Sequence, residues 1–484
     1  QVVSWTITMR SPLPATTIYM LLSGHLVMTS CTRCVDIAIV GGGPCGLATA
    51  VALKSARPSL HVAVYERDSY PLEPKGASIQ ISRAGWSAIE AIDPQAAATI
   101  RHEMGAPLLG VCVKTLDGQR SLMPWPVKII GGAVTHLLRL TRRLGMQRGL
   151  SRIFLWHDVR QVLADRVSEV CGSECMHFAH TLVSHQSSHG TTDAKLEFEV
   201  GGEVVSVHAK LVLACDGVSS AVRALSTSPA TAAHREQLLC DEGKSVWRGI
   251  APSVDCHGVA TFYRGEAGRS ALLFPAGRSK GSAWTIITTS IDGRASTSDE
   301  ARRRLREAVS QEAVSQEAVS QEAVSQEAVS QEAMAGEAVS QEAMAGELWR
   351  AVEASPVIVE NKLRVRDYTQ PWESGDARVA YLGDAAHPLR PTGEGTALAF
   401  EDAWVLGSLA RAAISDGDFL TPATLRRYED MRLARVAAIS EAVRAAANAF
   451  YREDEDAVSA ARGAAGRNRA SVSEVMRQYP VELV

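Results

Sequence analysis

Apolar, largely β-branched positions gather at Ile37 to Val40 and again at His61 to Tyr65, with an Ala- and Leu-rich stretch between them. This pattern predicts strand, glycine turn, helix and strand across 36–68. Further on, GASIQIS reads as a short strand and RAGWSAIEAI as a helix. Val159, Val162, Leu163 and Val167 recur at helical spacing, so a helix is expected over 153–170, leading into a His-bearing strand, MHFAHTLVSH. LEFEV and EVVSVH, joined by Gly201 and Gly202, predict a hairpin, and KLVLACDG a buried strand after it. VATFY, ALLFP and AWTIITT read as three strands of a meander over 258–290. A helix from Thr396 to about Ala413 and closing helices after Pro422, with Tyr428, Met431, Arg435, Val436, Ile439 and Val443 at helical spacing, complete the pattern.

One stretch obeys neither period. Eight pentads run from Glu307 to Gly346, six reading EAVSQ and two EAMAG. Five residues turn a helix by about 500°, so like positions wind around its surface and form no apolar stripe. The tract is expected to be a solvated, helix-favouring insertion that buries no face.

Candidate chemistry begins in the first turn. Gly41 permits a tight bend, Gly43 lets a pyrophosphate approach the backbone, and Gly46 lets the new helix lie against the strand. Glu66, 20 residues after Gly46, stands at the end of the second strand, where a carboxylate would accept hydrogen bonds from a ribose. With strand, helix, second strand and acid all in register, the stretch predicts a dinucleotide site.

Two further motifs place Asp216 (LVLACDGVSSAVR) and Asp384 (RVAYLGDAAHPLRPTGEGTALAFEDA) at predicted strand ends. Ligands of open α/β sheets collect at the carboxyl ends of strands, which puts both on the edge that carries Gly41. A carboxylate beside a pyrophosphate is repelled, so each Asp suits a hydroxyl or ordered water. Gly393 and Gly395 precede the helix from Thr396, whose N-terminus would favour negative charge on a nearby ring.

Composition narrows the partners. The 484 residues allow two or three domains, a hydrophobic content of 46% suits a globular protein, and the formal net charge is -4. No basic block with interleaved aromatics suggests nucleic acid. Nine scattered cysteines fit a reducing compartment better than a disulfide framework. Cys31 and Cys34 read as tail residues, and the cluster Cys171, Cys175, His177, His180, His185 and His189 as a His-rich hairpin, because strand alternation splits its side chains between two faces. No metal site is expected and no stretch is long enough to span a membrane. Residues 1–34 lack Asp and Glu and are rich in Ser and Thr; they read either as a presequence or as the remnant of an altered 5′ end with Met28 as the start.

Together the motifs resemble the single-component FAD-dependent aromatic-ring hydroxylases and their epoxidase relatives. The resemblance covers about residues 35 to 450 apart from the pentads. It rests on Gly41, Gly43, Gly46 and Glu66; on Asp216, Gly217, Ser220 and Arg223; and on Gly383, Asp384, Ala385, Ala386, His387 and Pro391, with WRG at Trp247 to Gly249 and Tyr428, Arg432 and Arg435 in support. Two positions depart from the family: Trp156 stands where an Arg commonly opens the helix before the His-bearing strand, and Ala397 where an Asn is common.

The resemblance implies an α/β fold, a Rossmann-like FAD-binding domain interleaved with a β-rich substrate domain and closed by C-terminal helices. It divides the chain into a tail (1–34), FAD-binding segments (35–72, 151–236, 366–418), substrate-domain segments (73–150 and 237–365, the latter with the insertion 307–346) and terminal helices (419–484). FAD would be held by Gly41, Gly43, Gly46, Glu66, Arg67, Asp216, Gly217, Gly383, Asp384, Pro391, Gly393 and Gly395. Glu66 would serve the adenosine ribose, Asp384 the ribityl chain, and Asp216 would lie between FAD and the path of the nicotinamide. The implied activity is a monooxygenase using NAD(P)H and O2 to hydroxylate or epoxidise a small aromatic or unsaturated substrate through a flavin C4a-hydroperoxide, in the cytoplasm, or in an organelle if the tail is a transit peptide. No catalytic acid or base is assigned; His387 is the titratable group nearest the expected flavin, and a turn-stabilising role suits it. The alternatives are a flavin oxidase or dehydrogenase on the same scaffold, and a flavoprotein without turnover.

Overall fold

A computed structural model describes residues 33–74, 78–122, 151–186, 193–225, 239–265, 269–278, 281–293, 295–320, 344–366, 372, 378–391 and 393–451. Met28 and most of the tail, the stretch 123–150, His189 and pentad residues 321–343 lie outside them.

The first sheet has seven strands. Its centre is β1 (Arg33–Val40), flanked by β2 (Val62–Tyr65) and β10 (Glu203–Ala214); beyond these lie β7 (Met176–His177) on one side and β9 (Ala194–Val200) and β8 (Thr181–Gln186) on the other, while β16 (Val379–Tyr381) also pairs with β10. Strands β1, β2, β10 and β16 run parallel, and their continuous apolar runs are buried, as a sheet covered on both faces requires. Covering it are helices α1 (Pro44–Ala56), α2 (Arg83–Ile92), α3 (Pro94–Thr99), α4 (Trp156–Cys171), the short α5 (Ala221–Leu225) and, in the C-terminal part, α8 (Gly395–Ala412), α9 (Asp416–Phe419) and α10 (Pro422–Tyr451).

The second sheet has six strands in the order β15 (Ile358–Arg366), β11 (Leu239–Ala251), β14 (Ser282–Thr289), β13 (Ser270–Pro275), β12 (Val259–Arg264) and β5 (Gly110–Thr115). The predicted meander is β12, β13 and β14, antiparallel neighbours. One face of this sheet packs under α6 (Ser298–Ser320) and α7 (Gly346–Glu353), where Trp247, Trp284, Leu305, Leu348 and Val352 build a second core. A third, small sheet has β6 (Arg152–Leu155) between β3 (Ser78–Ile79) and β4 (Ala106–Pro107). Strands of the two large sheets alternate along the chain, which is the interleaving expected from the motifs.

Four expectations need correction. Arg33 and Cys34 belong to β1, paired with Val207 and His208, rather than to the tail. Residues 152–155 form β6, and the helix begins at Trp156, because the apolar run Ile153–Leu155 is claimed by pairing with β3 and β4. The hairpin's second strand and the buried strand after it are one, β10, which enters the sheet centre without a break.

The pentad tract does bury part of itself. Ala308 and Val309 continue the face set by Ala301 and Leu305, and Met344 and Ala345 join the same core, so both described ends are packed. Alignment with an apolar face begun before the tract overrides its own lack of a stripe.

Candidate functional site

The parallel register brings the three motifs to one edge. Val40, Ala214 and Tyr381 lie side by side at the ends of β1, β10 and β16, so Gly41, Cys215–Asp216 and Leu382–Asp384 leave the sheet together. The Cys215 N–H donates to Val40 O and the Leu382 N–H to Ala214 O, stitching the three turns where they diverge.

The glycines act as their spacing predicts. Gly41 takes φ +106°, and a Cβ there would lie 2.5 Å from Cys215 O; one on Gly46 would lie 2.1 Å from Gly41 O. A Cβ on Gly43 would meet nothing closer than the Trp156 ring at 3.8 Å, leaving open space above the start of α1, whose first N–H groups have no side-chain cap. That cradle suits a pyrophosphate.

Glu66 sits behind the loop, buried, with Oε2 accepting from the Gly42 N–H at 2.6 Å and Oε1 from the Asp68 N–H at 2.7 Å. Arg160, which the sequence pattern did not flag, completes this cluster. It is 1% exposed and reaches three groups: Gly42 O (2.7 Å), Glu66 Oε2 (3.0 Å) and Asp68 Oδ2 (2.8 Å). Trp156, one turn earlier, carries no charge but lays its ring 5.3 Å from the Arg160 guanidinium. The cation thus stands a turn later than the position usual for the family, among apolar residues at helical spacing that masked it. Arg67 is exposed beside this cluster.

Asp216 Oδ2 accepts from the Val222 N–H at 3.0 Å, capping α5, while Oδ1 is buried with no hydrogen-bond partner among the described residues. Burial raises its carboxyl pKa, with Ser220 and the Val222 N–H opposing. Gly217, at φ +82°, has open space around its Cα. Arg223 ties this motif to the third: its Nη2 donates to Ala385 O at 2.8 Å and its guanidinium carbon lies 3.6 Å from the Tyr381 ring centroid.

Asp384 is exposed at the strand end, with protein groups surrounding it. Burial raises its pKa, countered by His387 and by Arg248 facing it from β11. Alternation along β11 sends Trp247 into the second core and Arg248 to the opposite face, toward Asp384. Burial lowers the Arg248 pKa, with Asp384 opposing.

His387 points into the protein interior. It is 0% exposed, with Nε2 2.7 Å from Asp402 Oδ2, which also accepts from the Gly383 N–H at 2.8 Å. Arg432 Nε donates to Asp402 Oδ1 at 2.6 Å and Arg432 Nη1 to Glu401 at 2.8 Å; Arg435 Nη2 also reaches Glu401, at 3.0 Å. Against burial, which would raise it, His387 and Arg432 hold the Asp402 carboxyl below its usual range. This network locks the Gly383–His387 turn to α8 and α10. Pro391 is half-buried, Gly393 exposed, and Gly395 starts α8, where a Cβ would lie 3.6 Å from Asp384 Oδ1. Ala397, in the Asn position, packs against Gly85 of α2.

Of the His and Cys cluster, His177 stacks on Tyr65 at 4.8 Å between ring centroids. Among the described residues no group of three or more His, Cys, Asp or Glu side chains is placed to hold a metal, and no helix is long and apolar enough to cross a membrane.

Residues 151–443, more than half of the chain, match the family described as FAD binding domain. The chain belongs to this FAD-binding-domain family. The resemblance to FAD-dependent aromatic hydroxylases is thereby borne out, as is FAD as the cofactor of the family. Ninety residues are 42% identical to 3-amino-4-hydroxybenzoate 2-monooxygenase PtmB3 of Streptomyces platensis, a match that spans 18% of this chain and only 21% of that relative. The crystal structure of HpxO from Klebsiella pneumoniae complexed with FAD and uric acid superimposes with a TM-score of 0.60 at 19% identity, covering 92% of this chain and 98% of that one. p-Nitrophenol 4-monooxygenase PnpA from Pseudomonas putida DLL-E4 gives 0.58 at 17%, covering 92% and 97%. These likenesses establish the fold. The residues at the sheet edge fit FAD by their own chemistry: an uncapped helix start over open glycine, an exposed carboxylate at Asp384, and an Asp216 oxygen without a hydrogen-bond partner among the described residues.

Proposed function

We propose that this protein is a monooxygenase that binds FAD along the Gly41–Asp216–Asp384 edge, takes hydride from NAD(P)H and inserts one atom of O2 into a small aromatic or unsaturated substrate. The observation that carries the reading is the alignment of Val40, Ala214 and Tyr381, which delivers all three motifs to one edge of the first sheet. When bound, FAD supplies the hydride acceptance and oxygen activation that protein side chains cannot.

The chain's own residues bind and orient. Gly41, Gly43 and Gly46 let the pyrophosphate meet the start of α1. Glu66, fixed by Arg160, presents its carboxylate to the adenosine ribose, with Arg67 at the rim. Asp384 accepts from ribityl hydroxyls, and Asp216 and Gly217 border the nicotinamide's approach. The Gly393–Gly395 turn and the start of α8 face the ring, and Pro391 shapes the turn before them. The segments 35–72, 151–236 and 366–418 form the FAD-binding part, and 73–150 and 237–365 the substrate part.

Arg248 supports a sharper statement about the substrate. Arg248 is half-buried, faces Asp384, and makes no hydrogen bond within the described residues. A phenolate, carboxylate or other anionic oxygen would complete it. The test is aerobic turnover of purified, FAD-loaded protein with NADPH or NADH against a panel of phenols and aromatic acids. Oxygenated product with matched NAD(P)H consumption supports the reading; NAD(P)H consumption yielding only peroxide across the panel supports the oxidase alternative.

A further inference from the structure

Trp156 opens α4 with its ring between Arg160 and the glycine loop. The ring's face is turned to the cation: the Arg160 guanidinium lies over it, 5.3 Å from the centroid. Its edge is turned to the loop. At the place a Cβ on Gly43 would occupy, Trp156 Cζ2 is 3.8 Å away, and among the described residues beyond the loop's own neighbours nothing else comes within 4 Å. Cζ2 lies on the indole edge that carries Nε1–H, since both atoms are bonded to Cε2. Trp156 is half-buried, and this N–H makes no hydrogen bond among the described residues.

An aromatic ring is negative over its faces and positive along its edge. The face of Trp156 therefore suits the guanidinium and the N–H edge suits an anion. The charges behind the loop point the same way. Arg160 is one cation against two carboxylates, with Nη2 on Glu66 Oε2 at 3.0 Å and Nη1 on Asp68 Oδ2 at 2.8 Å, while its Nε serves Gly42 O. That cluster has no positive charge left over for a further anion. A pyrophosphate in the Gly43 cradle would draw its hydrogen bonds from neutral donors instead, and the indole nitrogen is a donor only.

We propose that Trp156 donates its indole Nε1–H to a pyrophosphate oxygen of bound FAD. This deepens the flavin reading above and rests on it. Trp156 is a binding group and takes no part in the chemistry. Its ring carries the influence of Arg160 to the phosphate side of the loop, with the face held by the cation and the edge offered to the anion.

The experiment titrates FAD-free protein with FAD and, separately, with ADP, which brings the adenosine and pyrophosphate without the flavin; calorimetry reads both affinities. Trp156→Phe keeps a ring face for Arg160 and loses the N–H. It should bind both ligands about tenfold more weakly, the effect of one hydrogen bond, while the melting temperature of the FAD-free protein stays near that of wild type. In isotope-labelled wild type followed by NMR, the indole N–H signal that Trp156→Phe lacks should shift when ADP is added. Equal affinities for the two proteins would overturn the proposal and leave the flavin reading standing. Tighter binding by Trp156→Phe would also overturn it, by making the ring an obstacle, as would a loss confined to FAD, which would set the ring against the flavin half. Wild type that binds ADP but not FAD defeats the flavin reading, and the ADP comparison still decides the role of Trp156. Binding of neither ligand defeats both. Should Trp156→Phe not fold, wild type alone decides: the chain has nine Trp, an indole N–H signal must move with ADP, and nine unmoved signals overturn the proposal.

Discussion

Arg160 stands with a guanidinium nitrogen 3.0 Å from Glu66 Oε2, both side chains almost wholly buried behind the glycine loop. The pair converts a strand-end carboxylate into part of the loop's framework, since the same Arg160 also holds Gly42 O and Asp68. Removing one partner of a buried ion pair leaves the other charge uncompensated, which costs about 3–5 kcal/mol. Arg160→Ala should therefore lower the melting temperature and weaken FAD binding together. Arg160→Lys should not restore either, because an ammonium cannot span three acceptors in fixed directions. Thermal melts and FAD titration check this; wild-type values for Arg160→Lys would contradict it.

Stability and binding should separate at the two Asp residues of the third motif. Asp384 is exposed at the strand end, so Asp384→Ala should leave the melting temperature of the FAD-free protein near that of wild type while FAD binding weakens about tenfold, the loss of one hydrogen bond at ~1.4 kcal/mol. Asp402→Ala should do the reverse first: it leaves Arg432 with Glu401 as its remaining carboxylate and removes the partner of buried His387 and of the Gly383 N–H, destabilising by about 3 kcal/mol. The pair of variants, melted without FAD and then titrated with it, tests whether His387 is structural.

Much of this was legible in the sequence because it depends on local pattern. The glycine loop, the strand ends at Asp216 and Asp384 and the meander are each set within about ten residues, and parallel pairing needs only continuous apolar runs. Arg160 was not legible, because a lone Arg among Val159, Val162 and Leu163 reads as a polar position on an amphipathic helix until α4 is packed against the loop. The same holds for Ala308 and Val309, whose burial depends on the face begun at Ala301.

The buried ends of the pentad tract bear on engineering. Excising all of 307–346 removes Ala308, Val309, Met344 and Ala345 from the second core, together with the buried methyls they contribute, each worth about 1 kcal/mol. It should destabilise the protein by several kcal/mol. Excising only 321–343 with a short polar linker should leave flavin binding and melting temperature near wild type. Equal melting temperatures for the two deletions would show that the packed ends contribute nothing.

His177 predicts an acid-side weakness. Burial, with Arg33, His180 and His61 nearby, brings its pKa down to about 4, below the ordinary ~6.5 of an unfolded His. The unfolded chain then binds the extra proton between these values, so stability is intact above pH ~6.5 and falls as pH drops toward 4. Partial exposure screens the effect to about 1 kcal/mol. His177→Phe, which keeps the stack on Tyr65, should flatten the slope of melting temperature against pH between about pH 4 and 6.5.

The most direct test of the account is the visible spectrum of the purified protein through one cycle of anaerobic NADPH addition and oxygen readmission, with candidate phenols present. The account predicts bound flavin that bleaches with NADPH, recovers with oxygen and leaves an oxygenated product carrying one atom from O2. Protein that binds no flavin, or flavin that NADPH and NADH both fail to reduce in the presence of every candidate, would contradict it.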